Sequence, residues 1–257
     1  MSNTIQLKIK NKIAFITLNR PEVFNSFNRE MALALHDSFD ACEANDAVRA
    51  IVLSGKGKAF CAGQDLKEVT TPEINPGFKK ILEEHYNPII TRIREIKKPV
   101  IAAVNGVAGA NIALACDIVI ADERASFIQA FSLIGLVPDS AGTYFLPRLI
   151  GFQKALALAM LGDKIGAKEA EKLGMIYRCV STEEFEETVN KLAVKLVNMP
   201  TNALGMIKEL FNKSMNNSLE EQLAMESKYQ IEAAESNDYK EGVAAFIEKR
   251  KPNFKGR

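Results

Sequence analysis

Apolar and polar positions alternate through residues 5–9, and Ile13–Leu18 is a short, mostly apolar run, with Lys10–Lys12 between them, which predicts two short strands. Asn19, Arg20 and Pro21 stop the second. Asn28 then suits the N-cap of a helix over residues 29–43, with Met31, Leu33, Leu35 and Phe39 as its apolar positions. Residues 50–53 predict a short buried strand. Gly55, Gly57 and Gly63 mark a loop carrying FCAGQDLKE at 60–68. A polar stretch follows at 70–77, then a long helix over 78–96 that ends before Lys97, Lys98 and Pro99. Residues 100–104 form a near-continuous apolar run, the pattern of a strand covered on both faces. A short buried helix at 111–116 and a strand at 117–121 complete this part. From Gly151 onward the chain reads almost wholly as helix. Val189, Leu192, Ala193, Leu196 and Val197 follow the i, i+3, i+4, i+7, i+8 spacing of an amphipathic stripe. Pro200 and Thr201 break it, and helices begin near 202 and 218. Strand–helix alternation followed by a helical tail predicts an α/β core over 1–199 and a helical subdomain over 200–257.

Composition narrows the function classes. The chain has 257 residues, 33 basic and 32 acidic, for a net charge of +1. That balance supplies no surplus of positive charge for nucleic acid. The four cysteines stand apart, with no Cys-x-x-Cys pair, and suit reduced thiols in a cytoplasmic protein. The N-terminal stretch reads neither as a signal peptide nor as a transit peptide, and no apolar run reaches the roughly 18 residues that a membrane helix needs. With only His36 and His85, hydrolytic triads and zinc sites have few ligands to draw on.

One carboxylate stands out. Between Ala125 and Pro147 the chain is mostly apolar or small and polar, and apart from the phenol of Tyr144 the only ionisable side chain is Asp139. Two readings fit it. Pro-Asp-Ser-Ala-Gly before a helical stretch is a sound helix start, with Asp139 as the cap; or a lone acid in an apolar wall is a base. Two glycine-containing segments also admit two readings each. In FCAGQDLKE, amides following Gly63 can approach a polarised oxygen, or Gln64 and Asp65 can simply close a tight turn and cap a helix. In NGVAGANIALACD, at 105–117, a small-residue loop opening a buried helix offers free N–H groups to an oxyanion, or merely allows close packing.

Together these segments resemble the crotonase (enoyl-CoA hydratase/isomerase) superfamily. The matching pieces are LNRPEVFNSFN at 18–28, KAFCAGQDLKE at 58–68, KKPVIAAVNGVA at 97–108, IALACDIVIA at 112–121, GLVPDSAGT at 135–143, LPRLIG at 146–151 and EGVAAFIEKRKPNF at 241–254. Seven pieces in order extend the resemblance from residue 18 to residue 254. The resemblance implies an α/β fold with a ββα spiral core and a C-terminal helical trimerisation subdomain. It implies acyl-CoA thioester substrates, assembly as a trimer or dimer of trimers, and no metal or redox cofactor, since CoA enters as part of the substrate. Two backbone N–H groups would hold the thioester oxygen; one is that of Gln64. Ala62, Gln64, Asp65, Leu66 and Lys67 would line the adenine and pantetheine path, and Phe246 and Lys249 would help hold the nucleotide end, often across a subunit boundary.

The same resemblance separates reaction types. Family hydratases add water with two glutamates, whose positions fall here near Asn111 and at Phe131. General acid–base addition of water needs a proton donor and acceptor, which Asn and Phe do not provide. A carboxylate at the position of Asp139 occurs instead in related isomerases, and as a nucleophile in the aryl-CoA dehalogenase branch. NSFNREM at 25–31, YNP at 86–88 and FSLIGLVPD at 131–139 are most similar to the isomerases of phenylacetate degradation, which convert ring-1,2-epoxyphenylacetyl-CoA to its oxepin and also shift double bonds in unsaturated acyl-CoAs. His85 and Tyr86 suit either a surface helix or the wall of the acyl pocket. One departure matters. Between Asn105 and Asp117 the chain is three residues shorter than the family pattern, roughly 300° of helix rotation and about 4.5 Å of rise. Either the N–H of Gly109 substitutes for the second oxyanion donor, or the chain has moved toward acyl-CoA binding without fast turnover; the alternatives to an isomerase are thus an enoyl-CoA hydratase and a non-catalytic acyl-CoA-binding protein.

Overall fold

The computed structural model describes residues 3–109 and 111–256. The chain opens with β1 (Ile5–Lys10) and β2 (Ile13–Leu18), then α1 (Arg29–Ala44), β3 (Ala50–Gly55), β4 (Ala59–Cys61) and α2 (Leu66–Thr70). A short α3 (Phe78–Lys80) runs into a wide π-helical turn (Ile81–Tyr86) and then α4 (Asn87–Glu95). β5 (Val100–Val104), β6 (Val107–Ala108), α5 (Ile112–Ala115), β7 (Ile118–Asp122) and β8 (Ser126–Ile128) follow. Next come α6 (Gly142–Ile150), α7 (Phe152–Leu161), β9 (Lys164–Gly166), α8 (Ala167–Lys172), β10 (Arg178–Val180) and α9 (Thr182–Val197). The chain ends with α10 (Thr201–Ser214), α11 (Leu219–Glu235) and α12 (Asn237–Ile247).

Among the described residues the strands build two sheets. The larger has the order β1-β2-β3-β5-β7-β10 and is parallel apart from the β1–β2 hairpin. The smaller has the order β4-β6-β8-β9. Every residue of β5 is buried, because helices cover both faces of the larger sheet there. On one face α1, α4 and α5 contribute Leu35, Phe39, Ile89, Ile93 and Ile112 to the main core. On the other, the stripe of α9 places Val189, Ala193 and Val197 against Val52, Ile101 and Ile120.

Most predicted elements form near their expected places. Asn28 caps α1 by accepting the Met31 N–H at 3.0 Å. Two differences carry meaning. The helix expected over 78–96 is interrupted by the π-helical turn, which widens it by a residue where His85 and Tyr86 turn inward and are buried. The stretch after Gly151 also holds β9 and β10, which the helical reading missed. Each is three residues long and is fixed by pairing, with β8 and β7 respectively.

The helical C-terminal region is tied to the core by buried polar contacts. The Arg49 guanidinium donates to Thr201 Oγ1 at 2.8 Å, to the Phe254 carbonyl at 2.9 Å and to the Met199 carbonyl at 2.6 Å. Lys208 reaches from α10 to Asp117, with Nζ 2.8 Å from Oδ2. That oxygen also accepts the Val100 N–H at 2.8 Å, and Arg94 donates to Oδ1 at 3.2 Å. A hydrogen bond to a charged group contributes about 1.5–3 kcal/mol. Lys208→Ala is therefore expected to lower unfolding stability in urea by about that amount; a change within about 0.5 kcal/mol, the scatter of neutral surface substitutions, would show that Asp117 does not anchor α10.

Candidate active site

The site is built around a backbone amide that its neighbours leave open. After β4 the chain turns at Gly63, whose φ of +98° disfavours any residue with a Cβ. Phe27 clasps this turn from both sides: its N–H donates to the Gly63 carbonyl at 2.8 Å, and its carbonyl accepts the Asp65 N–H at 2.8 Å. Ala62 N–H is taken by the Phe24 carbonyl at 3.0 Å, and Gly63 N–H reaches Cys61 Sγ at 3.3 Å. Between them the Gln64 N–H donates to no acceptor among the described residues.

Side chains hold the same turn. Gln64 Nε2 donates to Glu68 Oε2 at 2.7 Å, and Glu68 Oε1 accepts the Arg29 N–H at 2.8 Å. Asp65 caps α2 by accepting the Lys67 N–H at 2.9 Å, and its other oxygen takes Arg20 Nη2 at 2.7 Å. Both readings of this segment are met at once: it is a capped tight turn, and it presents a free amide. The Asp65 carboxylate is spent on Arg20 and the cap, so its part in a ligand path is to hold the turn. Ala62, Leu66 and Lys67 are exposed beside it.

The expected second donor is arranged differently. Gly109 N–H donates to the Cys61 carbonyl at 2.8 Å, as part of the β4–β6 junction. It is engaged rather than open, which corrects the expectation that the shortened loop presents it to a ligand. Ala110 lies outside the described residues. Beyond it, Asn111 sits at the start of α5 with no side-chain capping role.

Asn111 does something else. It is buried, and its Nδ2 donates to the Asp139 carbonyl at 2.8 Å, while its Oδ1 accepts Gln129 Nε2 at 2.6 Å. The amide at the expected position of a hydratase glutamate thus anchors the loop that carries Asp139. Gly142 permits this contact, because a Cβ there would lie 2.2 Å from Asn111 Nδ2. Gly142 N–H donates to the same Asp139 carbonyl at 2.8 Å. Ser140 and Ala141 both take positive φ, 50° and 58°, so Asp139 stands on a strained elbow before α6.

The Asp139 side chain does not cap α6, whose N-cap is Ala141. It is half-buried, and burial raises its pKa above the ordinary carboxylate value. The hydroxyl of Ser140, donating to Oδ1 at 2.9 Å, and its own backbone N–H pull the other way. A cavity of about 150 Å³ lies behind the elbow, lined by Gln129, Pro138, Gly142, Leu146 and Phe152 among others. The Tyr86 ring meets the Phe27 ring at a centroid distance of 5.8 Å, and a Cβ on Gly63 would lie 3.8 Å from the carbonyl of Gly109, two residues before the Asn111 that holds the elbow. The Gln64 turn, the π-helical turn and the Asp139 elbow therefore share one neighbourhood.

Phe246 and Lys249 are not brought to it within this chain. Phe246 is 86% exposed on α12, and the Lys249 N–H merely closes the turn onto the Phe246 carbonyl at 3.3 Å. The sequence reading missed the Asn111–Gln129 pair, since residues 18 apart carry no periodic signal of contact. It singled out Tyr86 without its most telling property, a buried hydroxyl with no hydrogen-bond partner.

The chain is similar to known proteins along nearly its whole length. The family model for enoyl-CoA hydratase/isomerase matches residues 8–257. The 1,2-epoxyphenylacetyl-CoA isomerase of Escherichia coli (strain K12) is 43% identical over 262 residues, covering 100% of both chains. A probable enoyl-CoA hydratase of Rhodobacter capsulatus is equally similar, 43% identical over 99% of each chain. A trans-2-decenoyl-[acyl-carrier-protein] isomerase of Streptococcus mutans is 34% identical over 98% of each. Among solved structures, an enoyl-CoA hydratase/isomerase from Mycobacterium abscessus superposes with a TM-score of 0.93 at 37% identity, covering 98% of this chain and 100% of that one. A family model over residues 8–257 and full-length similarity at this level make the chain a member of the enoyl-CoA hydratase/isomerase family, with the crotonase fold.

Proposed function

We propose that this family member is an acyl-CoA isomerase in which Asp139 is the acid–base and the Gln64 N–H holds the thioester oxygen. The observation that carries the reading is the chemistry available around that oxygen. Asp139 is a carboxylate made more basic by burial, whereas the two positions where hydratases keep glutamates hold Asn111 and Phe131. Asn111 is moreover occupied on both its amide atoms. One carboxylate suffices to remove a proton from one carbon and return it to another. It does not suffice to activate water and protonate carbon at the same time.

In the proposed cycle the thioester carbonyl accepts a hydrogen bond from Gln64 N–H. Asp139 takes a proton from the carbon next to the carbonyl or its vinylogue, and negative charge moves onto the thioester oxygen. The carboxylic acid then delivers the same proton at the new position. CoA enters with the substrate and no other cofactor takes part. The similarity to the E. coli isomerase favours an epoxyphenylacetyl-CoA-type acyl group, with double-bond shifting in 3-enoyl-CoA esters as the related reaction. Hydration is the second reading, and the Rhodobacter relative's name is what favours it.

The other assignments belong to the same proposal. Exposed Phe211, Leu219, Ile231 and Ile247 on the C-terminal helices suit subunit packing in a trimer or dimer of trimers. In such an assembly Phe246 and Lys249 reach a neighbour's nucleotide rather than their own. Among the described residues no helix is long and apolar enough to cross a membrane.

Asp139→Asn keeps an acceptor for Ser140 but has no basic oxygen. Isomerisation is expected to fall by about 10²–10⁴-fold, measured with an epoxyphenylacetyl-CoA or 3-enoyl-CoA ester; near-normal turnover in a folded variant would defeat the mechanism. The sign of the pH dependence follows from the raised pKa. Asp139 works ionised, so kcat/KM must rise with pH along a limb lying above the ordinary carboxylate range. Stability runs the other way. The folded state holds this proton more firmly than the unfolded state, so stability is lost as pH rises from the unfolded to the folded pKa. Asp139→Asn should remove that loss and be the more stable protein at neutral pH in thermal unfolding; a variant less stable than wild type there would contradict a buried, unfavourably ionised acid.

The occupied Gly109 amide gives a further test. One lost oxyanion donor lowers kcat by about 10²–10³-fold. Inserting Ala-Gly-Ala between Ala108 and Gly109 restores the family's loop length and should raise kcat toward that margin with little change in KM. An insertion that folds yet leaves kcat unchanged would show that one amide suffices.

A further inference from the structure

Ser140 is 2% exposed and takes a φ of +50°, in the left-handed region that favours glycine. Glycine would make this bend without crowding a Cβ against the backbone, so the serine side chain needs a reason of its own. Its neighbour Ala141, at +58°, has one, because its methyl packs against the main core. Ser140 has another. Its hydroxyl donates to Asp139 Oδ1 at 2.9 Å, and among the described residues no other side chain donates to that carboxylate.

The bond acts on a residue whose main chain is already fixed. Asn111 Nδ2 and Gly142 N–H both donate to the Asp139 carbonyl at 2.8 Å. What remains free is rotation of the carboxylate, and Ser140 restrains it. The bond also makes the two oxygens unequal. An oxygen that accepts from Ser140 stays an acceptor in both protonation states: it is one of two carboxylate oxygens in the ionised form and the carbonyl oxygen of the neutral acid. The proton then belongs on Oδ2. Placing it on Oδ1 would force the Ser140 hydroxyl to give up its one acceptor among the described residues, and a buried donor left without a partner is unfavourable.

We infer that Ser140 is a positioning residue: its hydroxyl keeps Oδ1 as a standing acceptor and makes Oδ2 the one oxygen through which Asp139 takes a proton from the acyl group and returns it. The inference deepens the proposed function and rests on its assignment of Asp139 as the acid–base. In the first step a C–H bond breaks, its electron pair moves into the enolate and an Oδ2–H bond forms. In the second the Oδ2–H bond breaks, its pair stays on the carboxylate, and the enolate supplies the pair for the new C–H bond. A single oxygen keeps the proton over the acyl group, so it is delivered before solvent replaces it more often than from a carboxyl free to turn.

The test follows the hydrogen as well as the rate. A 3-enoyl-CoA ester is isomerised in D₂O by wild type, Ser140→Ala and Ser140→Gly, and the deuterium content of the 2-enoyl product is read by mass spectrometry at low conversion. Ser140→Ala keeps the strained backbone and removes the hydroxyl, whereas Ser140→Gly removes the hydroxyl and relieves the strain. Both should raise the ratio of solvent deuterium to transferred hydrogen in the product by about tenfold, and lower kcat by about tenfold with KM within about threefold. The acid limb of kcat/KM should move up by about one pH unit, since the donor that favours the ionised form is gone. Full deuteration already in wild type, a wild-type ratio in both variants, or a change confined to one of them would overturn the inference; the last outcome would assign the effect to the backbone of the elbow. Asp139→Asn in the same assay separates the two claims. If it is inactive while both Ser140 variants match wild type, the acid–base assignment stands and the positioning role fails. If it isomerises as wild type does, the proposed function fails and the positioning role with it.

Discussion

The clasp of Phe27 on the Gly63–Asp65 turn is the contact on which the site depends. Two backbone hydrogen bonds of 2.8 Å immobilise the residues on either side of Gln64 and leave its own N–H without an acceptor. A free amide in a mobile loop would swing toward water or a neighbouring carbonyl. Fixed by its flanks, it would, in the proposed mechanism, meet a developing negative charge without reorganisation. The polar ring of Arg20, Asp65, Arg29, Glu68 and Gln64 holds the turn from the side-chain direction. The strand pairing of β4 with β6 holds it from below.

The acid is held by a different logic. Asp139 stands on two successive residues in the left-handed region, a conformation disfavoured without glycine. The strain is sustained by hydrogen bonds: Gln129 to Asn111, Asn111 to the Asp139 carbonyl, and Gly142 N–H to that same carbonyl. Asn111, near the expected position of a hydratase glutamate, thus becomes a strut for the proposed acid–base.

Much of this was legible in the sequence, and the rest was not, for physical reasons. The Asn28 cap, the run of β5 and the stripe of α9 are local patterns with a mechanism, and they appear as read. Strands of three residues such as β9 and β10 have too little length to show a period, and only their pairing partners define them. The π-helical turn adds a single residue inside a helix that otherwise keeps its spacing. The solitary Asp139 was visible because an acid in an apolar stretch demands an explanation. That Gly109 has already given its N–H to Cys61, and that Tyr86 has no partner for its hydroxyl, are facts of three-dimensional bookkeeping. Spacing along the chain does not contain them.

The central claim is that Asp139 moves a proton on carbon beside a thioester held by the Gln64 amide. Solvent exchange tests it without any assumption about the final product. With phenylacetyl-CoA in D₂O, proton NMR should show the hydrogens on the carbon next to the thioester washing out in the presence of wild-type protein. With Asp139→Asn they should persist at the uncatalysed rate. Exchange that proceeds equally fast in the variant would contradict the account, because the proton would then be leaving through some other group.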